Sequence, residues 1–339
     1  MAERSSSRRR FFTELLRSGA QAANEARSAF GIGEHLDADV WSGDRVVRAE
    51  PVRRQVSMQE LLALCEDVGL PAKRASAVQE LARPSLRLTT GGEAGASRLG
   101  GAPDLPPGFE WPRWHGRELV FLGQLDLAAV AAHVPETGLP GNGLLLFFYE
   151  AERRPSGLAP NHAESCRVIV VGGQPLEAAP RERAVFPARP LAFSRELTLP
   201  PAHSFQLDPL DLDGPEFAAW ELLRERLAKL QGVVLDEVSE GWLVLHRLLG
   251  HADPVYGREM ELDCQLVAGG LDLSEGEAYV DPRRDELEPG AAEWRLLLQL
   301  SSDPELGWEW SDPFGRLYLW IHADDLRAGD FSRVRPILQ

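Results

Sequence analysis

Two stretches decide the fold once they are set side by side. Phe121-Leu122-Gly123-Gln124-Leu125-Asp126 is followed, after a Pro/Gly-rich spacer, by Gly143-Leu144-Leu145-Leu146-Phe147-Phe148. Leu297-Leu298-Gln299-Leu300-Ser301 is followed in turn by Gly315-Arg316-Leu317-Tyr318-Leu319-Trp320. Upstream of each pair lies an Arg-bearing turn, Ser97-Arg98-Leu99-Gly100-Gly101 and His246-Arg247-Leu248-Leu249-Gly250, each with Pro a few residues on. The offsets are 149, 175 and 172 residues and the order is kept. Self-similarity of this kind marks an internal duplication. Each half reads as an Arg turn, a strand with a Gln in an apolar setting, a loop, and a strand opened by Gly.

Around these stretches the chain from Ser85 onward alternates short apolar runs with Gly/Pro spacers, the texture of strands and turns. Strands are expected at 85–90, 119–125, 143–150, 167–171, 242–249, 260–267, 294–300 and 315–322. One helix interrupts them over 214–231, opened by Asp213-Gly214-Pro215, with Phe217, Trp220, Leu223, Leu227 and Leu230 as its apolar stripe. Ser57-Met58-Gln59-Glu60 is a capping box that starts an earlier helix, and Pro71 starts a second one reaching about Ala82. The expected architecture is mainly β to α+β: an internally duplicated, antiparallel, roll-like β unit with a helical N-terminal region. Its parts are an arm at 1–56, a helical hairpin at 57–84 and a β-rich body at 85–339. The halves of that body span about 85–200 and 233–339.

Composition limits the function. The 339 residues carry 36 Lys+Arg against 52 Asp+Glu, a net charge of −16. Nucleic-acid affinity comes from cations against phosphate, so no nucleic-acid partner is expected. No run reaches the ~18–20 apolar residues of a membrane span. Three distant cysteines, Cys65, Cys166 and Cys264, fit reduced buried thiols in a cytoplasmic protein. The first thirty residues have the opposite charge, a net of +3, which leaves −19 for the remainder. Ser7 to Phe12 has a twin-arginine look but lacks the apolar segment an export signal needs. The same stretch fits a basic amphipathic helix. Arg8, Arg9, Arg10, Phe11, Phe12, Leu15 and Leu16 are its candidate partner-binding residues, able to dock on an acidic surface.

A Gln inside an apolar strand must have its amide hydrogen-bonded or cost ~1–3 kcal/mol. Gln124, Gln265 and Gln299 sit in such contexts. They either bridge backbone groups between the halves or line a shared cleft. Asp312 beside Trp308 and Trp310, and Arg98 with Trp111 in the first half, are the polar–aromatic groupings suited to a small molecule or peptide. The expected ligand-binding set is therefore Arg98, Trp111, Gln124, Arg247, Gln265, Gln299, Trp310 and Asp312. Arg98, Gln124, Arg247, Gln299 and Asp312 are expected to face one concavity.

Leu99 to Pro112, Leu119 to Leu127 and Gly143 to Phe148 resemble the first half of the YwqG-like bacterial family, a domain of unknown function. The second half, with His246 to Gly250, Cys264-Gln265-Leu266, Leu296 to Leu300, Trp310 to Tyr318 and the closing Asp330 to Arg335, resembles it too. The likeness spans about Leu86 to Gln339. It implies a duplicated, roll-like β fold and brings no reaction. Ser311 departs from it, since the family more often has Gly there.

No nucleotide-binding, metalloprotease, nucleophile-elbow or calcium-loop motif is present. No cofactor, metal or catalytic residue is therefore expected. The favoured reading is a cytoplasmic binding or adaptor protein for a protein, peptide or small molecule. The alternative is a hydrolase or transferase using Asp312 or Cys264 with a His nearby in space.

Overall fold

The computed structural model describes residues 45–339 except His203, 234–240, 256–258, 275–276 and 312–314. The basic helix at Arg8 to Leu16, and Asp312, lie outside the described residues. The strands are β1 (Arg45–Arg48), β2 (Arg83–Thr90), β3 (Arg98–Leu99), β4 (Asp104–Leu105), β5 (Arg113–Trp114), β6 (Arg117–Glu118), β7 (Val120–Asp126) and β8 (Leu144–Tyr149). They continue with β9 (Cys166–Val171), β10 (Glu177–Ala178), β11 (Arg189–Thr198), β12 (Gly241–Val244), β13 (His246–Leu248), β14 (Trp294–Ser301), β15 (Arg316–His322) and β16 (Arg335–Leu338).

Ten strands form one antiparallel sheet in the order β16-β15-β14-β13-β2-β11-β3-β7-β8-β9. Repeat-equivalent strands stand symmetrically about β2 and β11 in this order, and the register shows why. Arg98 pairs with Gln124 as Arg247 pairs with Gln299. A bulge interrupts β7 against β8 between Phe121 and Gly123, and β14 against β15 between Leu296 and Leu298. In each half the bulged leucine's carbonyl accepts the next turn's N–H: Gly100 to Leu122 at 2.7 Å and Leu249 to Leu297 at 3.0 Å. Gly100 and Leu249 both sit at positive φ, +64° and +62°. Pro190 faces Arg98 as Arg87 faces Arg247, so the halves are related about the central pair Thr89–Ala192.

The sheet rolls so that one face of each half turns inward. Leu88, Leu125, Leu145, Phe147, Leu298 and Leu319 belong to that shared core. The two ends of the sheet approach each other where Leu338 N–H donates to the Ser156 carbonyl at 3.0 Å. Gly157 makes this possible, since a Cβ there would stand 1.8 Å from the Pro336 carbonyl oxygen.

Helices α1 (Met58–Asp67), α2 (Ala75–Leu81), α3 (Leu127–His133) and α4 (Gly214–Leu230) come before the second half of the sheet, and α5 (Met260–Ala268) lies within it. The capping box expected at Ser57 forms, with Glu60 N–H to Ser57 Oγ at 3.3 Å and Ser57 N–H back to Glu60 Oε2 at 2.8 Å. Helix α4 has its own box between Asp213 and Glu216 and buries Trp220, Leu223 and Leu227 against α1.

Two expectations need correction. Residues 260–267 form helix α5, not a strand. Met260, Leu262, Cys264 and Leu266 alternate as a strand would, but the segment is buried nearly all round, so its apolar pattern carries no period. Glu261 and Asp263 in its first turn suit a helix N-terminus. Several strands were not expected, among them β3 and β16 of the large sheet, and the longest is β11, at its centre. Its Leu191, Phe193 and Leu197 fall on one period-two phase, which Pro190 and the Arg195 on that same phase obscure.

Candidate functional site

The duplicated element at atomic scale is a clamp around a buried Gln. In the first half, Gln124 Oε1 accepts the Asp104 N–H at 2.9 Å, and Nε2 donates to the Ala96 carbonyl at 2.8 Å and to Asp104 Oδ2 at 2.7 Å. Arg98 donates to Asp104 Oδ2 at 3.0 Å and to the Ala102 carbonyl. In the second half, Gln299 Oε1 accepts the Asp253 N–H at 2.9 Å and Nε2 donates to the Leu245 carbonyl at 3.2 Å. Arg247 donates to Asp253 Oδ2 at 2.6 Å and to the His251 carbonyl at 2.9 Å. Both glutamines are fully buried. Each amide ties the turn after its Arg strand to the sheet, which satisfies the polar groups that burial would otherwise leave unpaired.

The clamps differ in what meets the outer edge of the arginine. Arg247 Nε donates to Glu196 Oε1 at 2.6 Å. Glu196 also takes Arg87 Nε at 2.9 Å on its other oxygen, and Arg87 continues to the Glu50 and Gln231 carbonyls. This Arg–Glu–Arg set is buried and bridges β13, β2 and β11. Burial works against the Asp253 carboxylate, but Arg247, Arg316 and Arg224 bring its pKa down to about 2. In the first half the residue symmetric to Glu196 is Glu93. Gly91 and Gly92 turn the chain off the ladder there, both donating to the Pro190 carbonyl, and Glu93 lies exposed. A Cβ on Gly92 would stand 2.4 Å from the Leu191 carbonyl carbon. Among the described residues Arg98 has only Asp104 as a carboxylate partner.

The next difference makes a cavity. Beyond the second-half turn, His251 folds its ring inward and its Nε2 lies 2.7 Å from the Leu81 carbonyl at the end of α2. A carbonyl can only accept, so Nε2 carries the proton. Burial, with Arg83 adding to it, holds the His251 pKa well below the usual histidine range, and the ring is neutral. The symmetric residue in the first half is Ala102. Around it Gly101, Ala179, Ala184, Phe186 and Ala188 line an open groove of about 490 Å³, within the size range of small-molecule sites. The walls correspond as well. A Cβ on Gly101 would meet the Ala188 Cβ at 2.8 Å, and one on Gly250 the Ser85 Cβ at 2.6 Å. Arg98 lies close to this turn, its Nε 3.6 Å from that same added Cβ on Gly101.

Of the residues named for a single concavity, Asp312 lies outside the described residues, and the described ones lie apart or are buried. Arg98 and Arg247 lie three strands and four register positions apart, roughly 20 Å by sheet geometry. Gln124, Gln299 and Arg247 are buried against backbone and carboxylates. Trp111 covers the first half, its Nε1 bonded to the Leu119 carbonyl at 2.8 Å, with the Arg183 guanidinium 4.6 Å from its ring. Gln265 sits on α5, where its Oε1 accepts Trp294 Nε1 at 2.9 Å. Trp310 packs 5.3 Å from Trp308 inside the core.

Of the groups weighed for catalysis, Asp312 lies outside the described residues and Cys264 is buried. Burial, then Asp263, pushes the Cys264 thiol well above its usual value, and it is fully buried. Burial raises Cys65 to about 11 and Cys166 to about 12. His246 accepts the Ser301 N–H on Nδ1 at 3.2 Å, so its Nε2–H faces Asp303 Oδ2 at 3.3 Å. Arg48 binds Asp303 in bidentate fashion at 2.7 and 2.6 Å, pinning β1 to the second half. Sequence reading missed Ala102 and the 178–188 wall. The available signal was the mismatch of Ala102 with His251 between the shared Gly101/Gly250 and Asp104/Asp253 of the repeat.

A family described as Domain of unknown function (DUF1963) matches residues 97–339. No curated protein matches the chain.

Proposed function

This chain belongs to that family of unknown function, and from that premise we propose that it is a non-catalytic binding protein. It recognises a small molecule or the side chain of a peptide through the first-half groove, with Arg98 close to its Gly101 turn. The observation that supports this is the asymmetry of the duplication. One clamp is closed by the protein's own His251 and Glu196, and its partner is left open at Ala102 and Arg98. The buried thiols, with raised pKa values, favour binding over nucleophilic chemistry and suit a cytoplasmic setting. A bacterial, YwqG-like identity belongs to the same reading, as does docking of the Arg8 to Leu16 segment on an acidic surface.

The test is a ligand-observed NMR screen of a fragment library against the wild-type chain and Ala184→Trp. Ala184 is exposed on the groove wall, so the indole fills the groove without entering the core. Hits that disappear with Ala184→Trp support the reading. Hits that all survive it contradict the reading.

A further inference from the structure

The duplication also indicates what kind of group the groove takes, and this inference rests on the binding reading above. We infer that the first-half groove is a receptor for a planar N–H heteroaromatic ring of imidazole size. The second half carries out that recognition internally. There the ring of His251 lies behind the Gly250 turn, with its N–H on the Leu81 carbonyl at 2.7 Å. Leu81 closes a helical turn just before β2. The first half repeats the turn, the proline and the glycine but not the ring, and Ala184 is extended backbone after its turn where Leu81 is still helical. Ala184 follows the helical turn Arg181–Arg183 just before β11, Pro187 stands where Pro84 stands, and Gly101 where Gly250 stands. The Ala184 N–H is bonded to the Arg181 carbonyl at 3.0 Å, which fixes the peptide at the groove wall. Ala102 has a methyl group where His251 has an imidazole, and the groove opens beside it. Phe186 forms one flat wall, held edge-on by Trp308 at 5.9 Å between centroids. An incoming ring stacks in that slot and donates its N–H to the Ala184 carbonyl, as His251 does to Leu81.

The probe is 4-methylimidazole, the side chain of histidine, titrated into the ¹⁵N-labelled full chain. The expected result is saturable shifts at the amides of Gly101, Ala102, Ala184 and Phe186 in the millimolar range. The amides of Gly250 and His251 stay unmoved. Ala102→His supplies the ring from within and abolishes the saturable shifts. 4-Methylthiazole, a ring of similar size without an N–H, binds at least about fivefold more weakly. Equal binding of the two rings overturns the inference, as does undiminished binding by Ala102→His. If fragments without an N–H are lost with Ala184→Trp and 4-methylimidazole never binds, the ring assignment fails and the binding reading stands. If Ala184→Trp loses nothing, both fail.

Discussion

The two halves hold the same Arg–Gln–Asp clamp and use it differently. In the second half Arg247 is fully engaged. Asp253, Glu196 and the His251 carbonyl surround it, and His251 seals the space beyond. In the first half Arg98 keeps its Asp and its backbone carbonyls, but Gly91 and Gly92 divert Glu93, and Ala102 leaves a groove. Duplication gives a fold two copies of one stabilising element. One copy can be released for recognition once the other holds the sheet centre together.

This comparison can be broken by experiment. The largest effect is expected at Glu196, whose removal leaves Arg87 buried without a carboxylate and Arg247 with Asp253 alone. Glu196→Ala should cost about 3–5 kcal/mol in urea unfolding. Asp104→Ala, at the part-exposed first-half clamp, should cost about 1 kcal/mol. Equal losses would mean that the halves are equally closed.

Next come the glutamines, where the comparison predicts likeness. Gln124→Leu and Gln299→Leu each orphan buried backbone groups, and each should cost about 1–3 kcal/mol. A loss confined to one of them would show that the clamps are not equivalent.

A smaller effect depends on pH and belongs to the second half alone. Burial, then Asp208 and Asp263, raises Glu259 to about 8. The folded state therefore keeps a proton that the unfolded chain releases near pH 4.5. This contribution to stability is complete at low pH and is lost as pH rises through about 8. Glu259→Gln should flatten the stability profile over that interval, as followed by thermal unfolding between pH 5 and 8.5. Asp303 runs the other way. Burial opposes its charge, but the hydrogen bonds from Arg48 and His246 hold its pKa well below the usual range. Its contribution is present above about pH 4 and falls away in acid. An unchanged acid limb in Asp303→Asn would contradict that assignment.

Much of the sheet was legible in the sequence because its strands announce themselves. Leu144 to Tyr149 is buried on both faces and reads as an unbroken apolar run. The repeat of Arg, Gln and Gly was visible because the clamp needs those side chains at those positions. Helix α5 was misread because burial on all sides erases the helical period. Strand β11 was overlooked because it carries Glu196, a charge whose partners are remote in sequence. The site was legible only in outline. Arg98 and Gln124 were singled out, but the groove opens at Ala102, where a methyl group announces nothing until it is set against His251.

The most direct test of this account is a crystal structure of Ala102→His. The introduced imidazole is predicted to lie in the groove against Phe186, with a ring nitrogen within hydrogen-bond distance of the Ala184 carbonyl, as His251 lies on Leu81. A ring turned out to solvent, or a displaced 178–188 wall, would contradict the claim that the groove is the open copy of the second-half site.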